Sequence, residues 1–370
     1  MSTDLAALYP AARLAAVADA VRAAGLGALL LTPGPDLRYV TGYDAKQLER
    51  LTCLAVPAEG EAFLVVPGLE LKAAMASPVS TLGVEVVTWG ETDDAFEVMK
   101  KRLGDLETVA LSDRMWALNV LRFQEAFPGA RQVLASAVLS RLRIRKNPVE
   151  VAALREAGAA IDRVHEQVPG WLKPGLTERQ VGARIAEAIL AEGHVQVDFV
   201  IVGSGPNAAS PHHEVSDRVL RAGDVVVVDI GGTMGSGYCS DCTRTYAIGD
   251  PPADFSAYYA VLKQAQDAAC ARVRPGVTAE SVDATARDII TAAGYGDWFI
   301  HRTGHGIGLE SHEDPYIVAG NATSLAPGMA FSVEPGIYPG PHGARIEDIV
   351  VCTEDGVERL NNVPRDLVIV

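Results

Sequence analysis

The second half of the chain carries one pattern twice. Lys173-Pro-Gly-Leu-Thr-Glu-Arg-Gln-Val runs through a helical pattern to Ala191-Glu-Gly193, and Arg274-Pro-Gly-Val-Thr-Ala-Glu-Ser-Val runs through another to Ala292-Ala-Gly294. From Gly175 to Gly193 and from Gly276 to Gly294 the distance is 18 residues in both copies. Each copy predicts a helix that opens at a threonine N-cap, Thr177 or Thr278, and closes at a glycine suited to the C′ position. The match continues into strands: Leu220 to Asp229 and Leu325 to Glu334 both place a carboxylate nine residues after a leucine. A duplicated helix-plus-strand unit restricts this half to a fold with internal pseudo-symmetry.

Each copy also returns on itself. Val225 to Thr245 reads as an apolar strand, a glycine-rich turn and a second strand. A hairpin centred on Gly235 sets Asp229 directly opposite Asp241. In the second copy Glu334 and Glu347 flank a Pro-Gly-Pro-His-Gly turn with its midpoint between Gly340 and Pro341, so they face each other too. Facing carboxylates in an apolar setting repel and are costly to desolvate, so they need a cation, a shared proton or solvent. A solvated sheet edge would explain either pair alone. Recurrence in both copies favours a metal-bridging set.

The first ~140 residues alternate short β-like and helical runs, the pattern of an α/β domain. Strands are expected at Ala28 to Thr32, Thr52 to Val56, Ala62 to Val66, Val84 to Trp89 and Val109 to Leu111. Helices are expected at Ala11 to Ala24, Asp93 to Leu103 and Ala117 to Phe127. Leu37 to Tyr43 reads as a loop. The basic stretch Arg141-Leu-Arg-Ile-Arg-Lys146 reads as a solvated linker, followed by an amphipathic helix from Val149 to Val168. The expected domains are therefore 1-140 and 147-370.

A chain of 370 residues accommodates two such domains. Its formal net charge of −15 disfavours nucleic acid and anionic membrane as partners. Met1 to Leu5 shows no basic start of a secretory signal, and no apolar run reaches membrane-spanning length. Five cysteines do not suggest a disulfide framework. A cytoplasmic location is expected. Cys239 and Cys242 fall on opposite strand faces and read as structural thiols. Walker A, H-E-x-x-H and G-x-S-x-G patterns are absent.

Four carboxylates plus one histidine suit two divalent ions. His305, flanked by glycines in Arg302-Thr-Gly-His-Gly-Ile-Gly308, is the candidate imidazole. Oxygen-rich ligation with one nitrogen points to Mn²⁺, Co²⁺ or Zn²⁺. Paired ions lower the pKa of a shared water and polarise a carbonyl, which makes acyl hydrolysis the natural reaction class. His212 and His312 lie 100 residues apart, near the repeat spacing, and read as pseudo-equivalent supports that donate to an oxyanion or move a proton. Arg345 shares a strand face with Glu347, and either binds a substrate carboxylate or balances the acids.

Val228-Asp-Ile-Gly231, Ser240-Asp-Cys-Thr-Arg-Thr245, His301 to Glu310, Val333-Glu-Pro-Gly336 and Arg345-Ile-Glu-Asp348 resemble the signature blocks of the Xaa-Pro peptidases, prolidase and aminopeptidase P. Arg38 to Tyr43 also resembles their creatinase-type N-terminal domain. The resemblance implies an α/β creatinase-type domain, then an α+β pita-bread catalytic domain with an internal pseudo-two-fold repeat. It implies metal ligands at Asp229, Asp241, His305, Glu334 and Glu347, holding two Mn²⁺, Co²⁺ or similar ions. By the same resemblance Glu334 shuttles a proton, His312 stabilises the oxyanion, and His212 with Arg345 holds the proline end. His301 lines the same pocket. The implied reaction is attack of a metal-bridging hydroxide on an X–Pro bond of a proline-containing peptide, in a homodimer. Two alternatives compete: a metal-dependent hydrolase or lyase of a small non-peptide substrate, and a peptide-binding relative without catalysis.

Overall fold

Apolar runs become strands where both faces find cover, and the first half shows this directly. The structure is a computed structural model that describes residues 5–370; Met1 to Asp4, included in the reading of the N-terminus above, lie outside them. β1 (Ala28–Leu31), β2 (Cys53–Pro57), β3 (Phe63–Pro67), β4 (Glu85–Trp89), β5 (Thr108–Leu111) and β6 (Arg131–Leu134) form one sheet in the order β4-β3-β2-β1-β5-β6. The sheet is mixed: β1 pairs antiparallel with β2 and parallel with β5. Every residue of β1 is buried, as expected of a strand covered on both faces. Helices Ala95–Leu103 and Ala117–Ala126 supply Phe96 and Phe123, which meet edge to face at 4.9 Å between centroids.

All five expected strands of this half form, and β6 adds a sixth whose ends, Arg131 and Leu134, are exposed. Leu37 to Tyr43 is not simply a loop. Helix Pro35–Thr41 covers most of it, with proline near its start and Gly42 closing it at φ +70°. Nor is the basic stretch a solvated linker. Arg141 and Arg143 belong to helix Ser136–Arg143, and Lys146 is buried in an ion pair with Glu313. The chain divides into two compact units between Arg143 and Ile144.

The second unit starts with helix Pro148–Gln167, capped by Asn147 with Glu150 reaching back to complete a capping box. The two repeat helices follow as Glu178–Ala191 and Ala279–Ala292. Gly193 and Gly294 close them with φ of 107° and 87°. Their caps differ. Thr177 accepts from the Gln180 amide, and Gln180 returns a bond to the Thr177 amide. Thr278 caps nothing with its side chain. The third residue of its helix is Ser281, too short to close the box, and its hydroxyl bonds to the Thr278 carbonyl instead.

β7 (His194–Ser204), β8 (Val225–Met234), β9 (Cys239–Ala247) and β17 (Val368–Ile369) form a sheet in the order β17-β9-β8-β7. β10 (Gly304–Gly306), β11 (Glu313–Ile317), β12 (Ala330–Val333), β15 (Asp348–Cys352) and β16 (Val357–Arg359) form another, ordered β11-β10-β12-β15-β16. β13 (Gly336–Ile337) and β14 (Ala344–Arg345) pair between them in sequence. Alternation along β8 divides its side chains. Val226, Val228 and Ile230 pack with the first repeat helix, whereas Val225 and Val227 pack into the core of the second copy. Asp229 continues the latter face.

The first hairpin departs from its expected register. Asp229 lies opposite Thr243, and Asp241 opposite Gly231, so the two aspartates are diagonal neighbours on one face. The turn is centred on Ser236, one residue beyond Gly235. The second hairpin keeps the expected register. Val333 pairs with Asp348 and Gly336 with Arg345, which sets Glu334 across from Glu347 between them. All five cysteines are free and buried. Among the described residues no helix is long and apolar enough to cross a membrane.

Candidate active site

β9 and its neighbours deliver the acids to one buried place. Asp241, His305 and Glu347 each present a ligand atom, and these atoms lie within 4.8 Å of one another. His305 Nε2 is 3.1 Å from Glu334 Oε1 and 3.7 Å from Asp241 Oδ2. Its Nδ1 donates to the Gly306 carbonyl at 3.1 Å, which turns Nε2 toward the carboxylates. β10 can approach β12 this closely only as glycine at Gly304, where a Cβ would stand 1.9 Å from the Ser332 carbonyl oxygen. The Ser332 hydroxyl in turn donates to Glu334 at 3.0 Å.

Asp229 stands apart from that three-residue group. Its Oδ2 accepts from Arg345 Nη2 at 2.5 Å. Arg345 is 2% exposed, and it also donates to Thr243 Oγ1, Tyr338 Oη and the Pro211 carbonyl. Tyr338 continues the line to His301 Nε2 at 3.0 Å, while His301 Nδ1 donates to the Arg302 carbonyl. Thr243 also donates to Glu347 Oε2 at 2.7 Å. Two buried oxygens, Asp229 Oδ1 and Glu347 Oε1, have no hydrogen-bond partner among the described residues.

The electrostatics follow from this crowding. Burial, then the Glu347 and Asp229 charges, push the Asp241 carboxyl well above its ordinary range. Burial and the Glu334 charge do the same to Glu347. Burial raises Asp229 as well, opposed by Arg345. Glu334 goes the other way: burial pushes it up, but the bond and charge of His305 outweigh this and hold it down to about 2. Desolvated acids of raised pKa, two orphaned oxygens and an imidazole nitrogen aimed at carboxylates together suit divalent cations.

Three further histidines singled out in the sequence, His312, His301 and His212, bear on this cluster. The His312 residue is exposed, yet its ring meets His305 edge on at 4.0 Å between centroids, and partial desolvation of the ring together with His305 lowers its pKa to about 4. Burial lowers His301 too. His212 is exposed and close enough to interact electrostatically with both His301 and His312. Its loop is anchored on both sides. Arg345 holds the Pro211 carbonyl, and Glu178 accepts from His213, Ser204, Asn207 and Ser216.

Several supports of the site carry no motif signal in the sequence. Arg244 donates to the Thr243 and Glu347 carbonyls and to Asp348 Oδ1, tying β9 to the Glu347 segment. Asp348 is fully buried and also accepts from Gln266, Arg359 and Arg365. Thr243 could have been found by period-two arithmetic, since it lies two residues beyond Asp241. Tyr338 carries no comparable local signal.

Residues 152–354 match the model of metallopeptidase family M24, and residues 13–145 match that of the creatinase/prolidase N-terminal domain. A probable dipeptidase PepE of Mycobacterium tuberculosis is 56% identical over 97% of this chain and 96% of its own length. An Xaa-Pro dipeptidase of Lactobacillus helveticus is 37% identical over 90% and 92%. The crystal structure of dipeptidase PepE from Mycobacterium ulcerans matches with a TM-score of 0.92 at 55% identity, covering 100% of this chain and 99% of that one. A prolidase from Thermococcus sibiricus matches with a TM-score of 0.90 at 36% identity, covering 97% and 98%. The architecture is the expected creatinase-type α/β domain followed by an α+β pita-bread domain. By sequence, by fold and by a buried acid cluster that suits divalent cations, the chain belongs to metallopeptidase family M24 and is a hydrolase.

Proposed function

We propose that the protein hydrolyses X–Pro dipeptides with two divalent ions, Mn²⁺ or Co²⁺ in preference to Zn²⁺, held by Asp229, Asp241, His305, Glu334 and Glu347. The observation that carries the reading is the meeting of acids from both repeat copies around His305, with Asp229 Oδ1 and Glu347 Oε1 buried and unpartnered. The names of the relatives, a probable dipeptidase and an Xaa-Pro dipeptidase, support the substrate class. When bound, the ions lower the pKa of water and polarise the scissile carbonyl.

The chain's own residues supply the rest. Glu334 takes a proton from the attacking water and returns it to the proline nitrogen as the bond breaks. His312 donates to the oxyanion that forms on the carbonyl oxygen. His212, exposed at the rim, meets the proline end with His301. Arg345 has every nitrogen engaged, which supports charge balance for Asp229 over direct capture of a substrate carboxylate. In this proposal the protein acts as a cytoplasmic homodimer, with an N-terminal domain over 1-140 and the catalytic domain over 147-370.

A panel of X–Pro dipeptides, X–Pro-Y tripeptides and proline-free dipeptides, assayed after reconstitution with Mn²⁺, tests the reading. Turnover is expected for X–Pro dipeptides above the other two classes. Turnover of none of them would favour a small non-peptide substrate, and absence of bound metal by elemental analysis would favour a peptide-binding protein.

A further inference from the structure

Lys146 and Glu313 form a buried ion pair that the chemistry above does not use. Lys146 Nζ is 2.6 Å from Glu313 Oε1, with side chains 2% and 9% exposed. Burying two charges is costly, so the pair needs a reason beyond stability. Its placement supplies one. Lys146 is fixed by its own backbone, which donates to the Gly328 carbonyl at 2.8 Å. Glu313 directly follows His312 and pairs with Gly306 of the strand that carries His305. Its carboxylate lies against Gly308, where a Cβ would stand 2.6 Å from Glu313 Oε1. The Gly308 carbonyl in turn accepts from the Cys239 amide at the start of β9.

His312 itself is exposed and makes no side-chain hydrogen bond among the described residues; the ring contact it makes is with His305, and its position is otherwise that of its backbone. Whatever fixes that backbone therefore sets where the imidazole stands. We propose that the Lys146–Glu313 pair is a positioning device that holds His312 against His305 for hydrolysis of the X–Pro bond, a role that rests on the functional reading above. Lys146 and Glu313 touch neither substrate nor ion. They act through His312.

The test measures kcat and KM for the dipeptide Leu-Pro with the full Mn²⁺-loaded chain, for Glu313→Gln and Lys146→Met, each made alone and in a His312→Ala background. The expected result is a fall in kcat of about tenfold with KM within about twofold. Bound metal by elemental analysis should be unchanged, and Lys146→Arg should retain activity. In the His312→Ala background the same substitutions should change kcat by less than about twofold. If a single variant leaves a lone buried charge and fails to fold, the double variant Lys146→Met/Glu313→Gln carries the same comparison. Equal losses in both backgrounds, or an unchanged kcat, would overturn the proposal alone. No turnover of Leu-Pro by the unsubstituted protein would overturn the functional reading first and this proposal with it.

Discussion

Arg345 shows how a single side chain can organise this site. A planar guanidinium with several donors satisfies Asp229, Thr243, Tyr338 and a loop carbonyl at once. A lysine ammonium at the end of a flexible stem cannot reach all four. Arg345→Lys is therefore expected to lower kcat/KM by more than about tenfold, measured on an X–Pro dipeptide, with the fold retained. Tyr338→Phe is a milder change that leaves Arg345 Nη1 and His301 Nε2 each short of a partner. A loss of about 1–3 kcal/mol in urea denaturation is expected. The acids and His305 were legible in the sequence because each sits in a short block of glycines and β-branched residues at a repeated spacing. Tyr338 and Arg244 were not, since their partners come from segments that only the fold brings near.

The two repeat copies offer an internal comparison of elements. Thr177 closes a capping box with Gln180, while Thr278 has Ser281 at the matching position and no side-chain cap. Thr177→Ala should cost about 1 kcal/mol, and Thr278→Ala less than half of that, by urea denaturation. Equal costs would contradict the difference between the caps.

The hairpins show the limits of sequence arithmetic at the same scale. Between Glu334 and Glu347 the prolines and glycines make the turn unambiguous, and the expected pairing is the one observed. Between Asp229 and Asp241 the run Gly235-Ser-Gly237 allows more than one centre, and the turn settles on Ser236. Diagonal placement still keeps both aspartates on one face, so the error moves the register without moving the site. Helix Pro35–Thr41 was legible in principle, with proline near its start and glycine past its end. It is short enough that the surrounding turn residues hid it.

At the scale of the whole molecule, stability and chemistry draw on the same buried polar groups. His165 lies behind β9, where Nε2 donates to the Cys242 carbonyl and Nδ1 accepts from Tyr246. Burial, then the Arg244 charge, lowers its pKa from the ordinary 6.5 to about 3. The folded protein therefore keeps this histidine neutral at pH values where the unfolded chain protonates it. Its contribution to stability is fully present above pH 6.5 and is lost as the pH falls toward about 3. The slope is about 1.4 kcal/mol per pH unit within that window. His165→Gln should flatten the fall in urea-denaturation stability between about pH 6 and pH 4 by up to that slope. An unchanged slope would mean that other groups govern acid unfolding.

In the proposed function, the acids of the two repeat copies hold the ions that make this chain a hydrolase of X–Pro bonds. Turnover of an X–Pro dipeptide by metal-stripped protein, before and after addition of Mn²⁺, tests it most directly when the native chain and Asp241→Ala are compared. Stripping is expected to abolish turnover, Mn²⁺ to restore it in the native chain, and Asp241→Ala to stay inactive at the same Mn²⁺ concentration. Full activity of Asp241→Ala in metal-free buffer would contradict it.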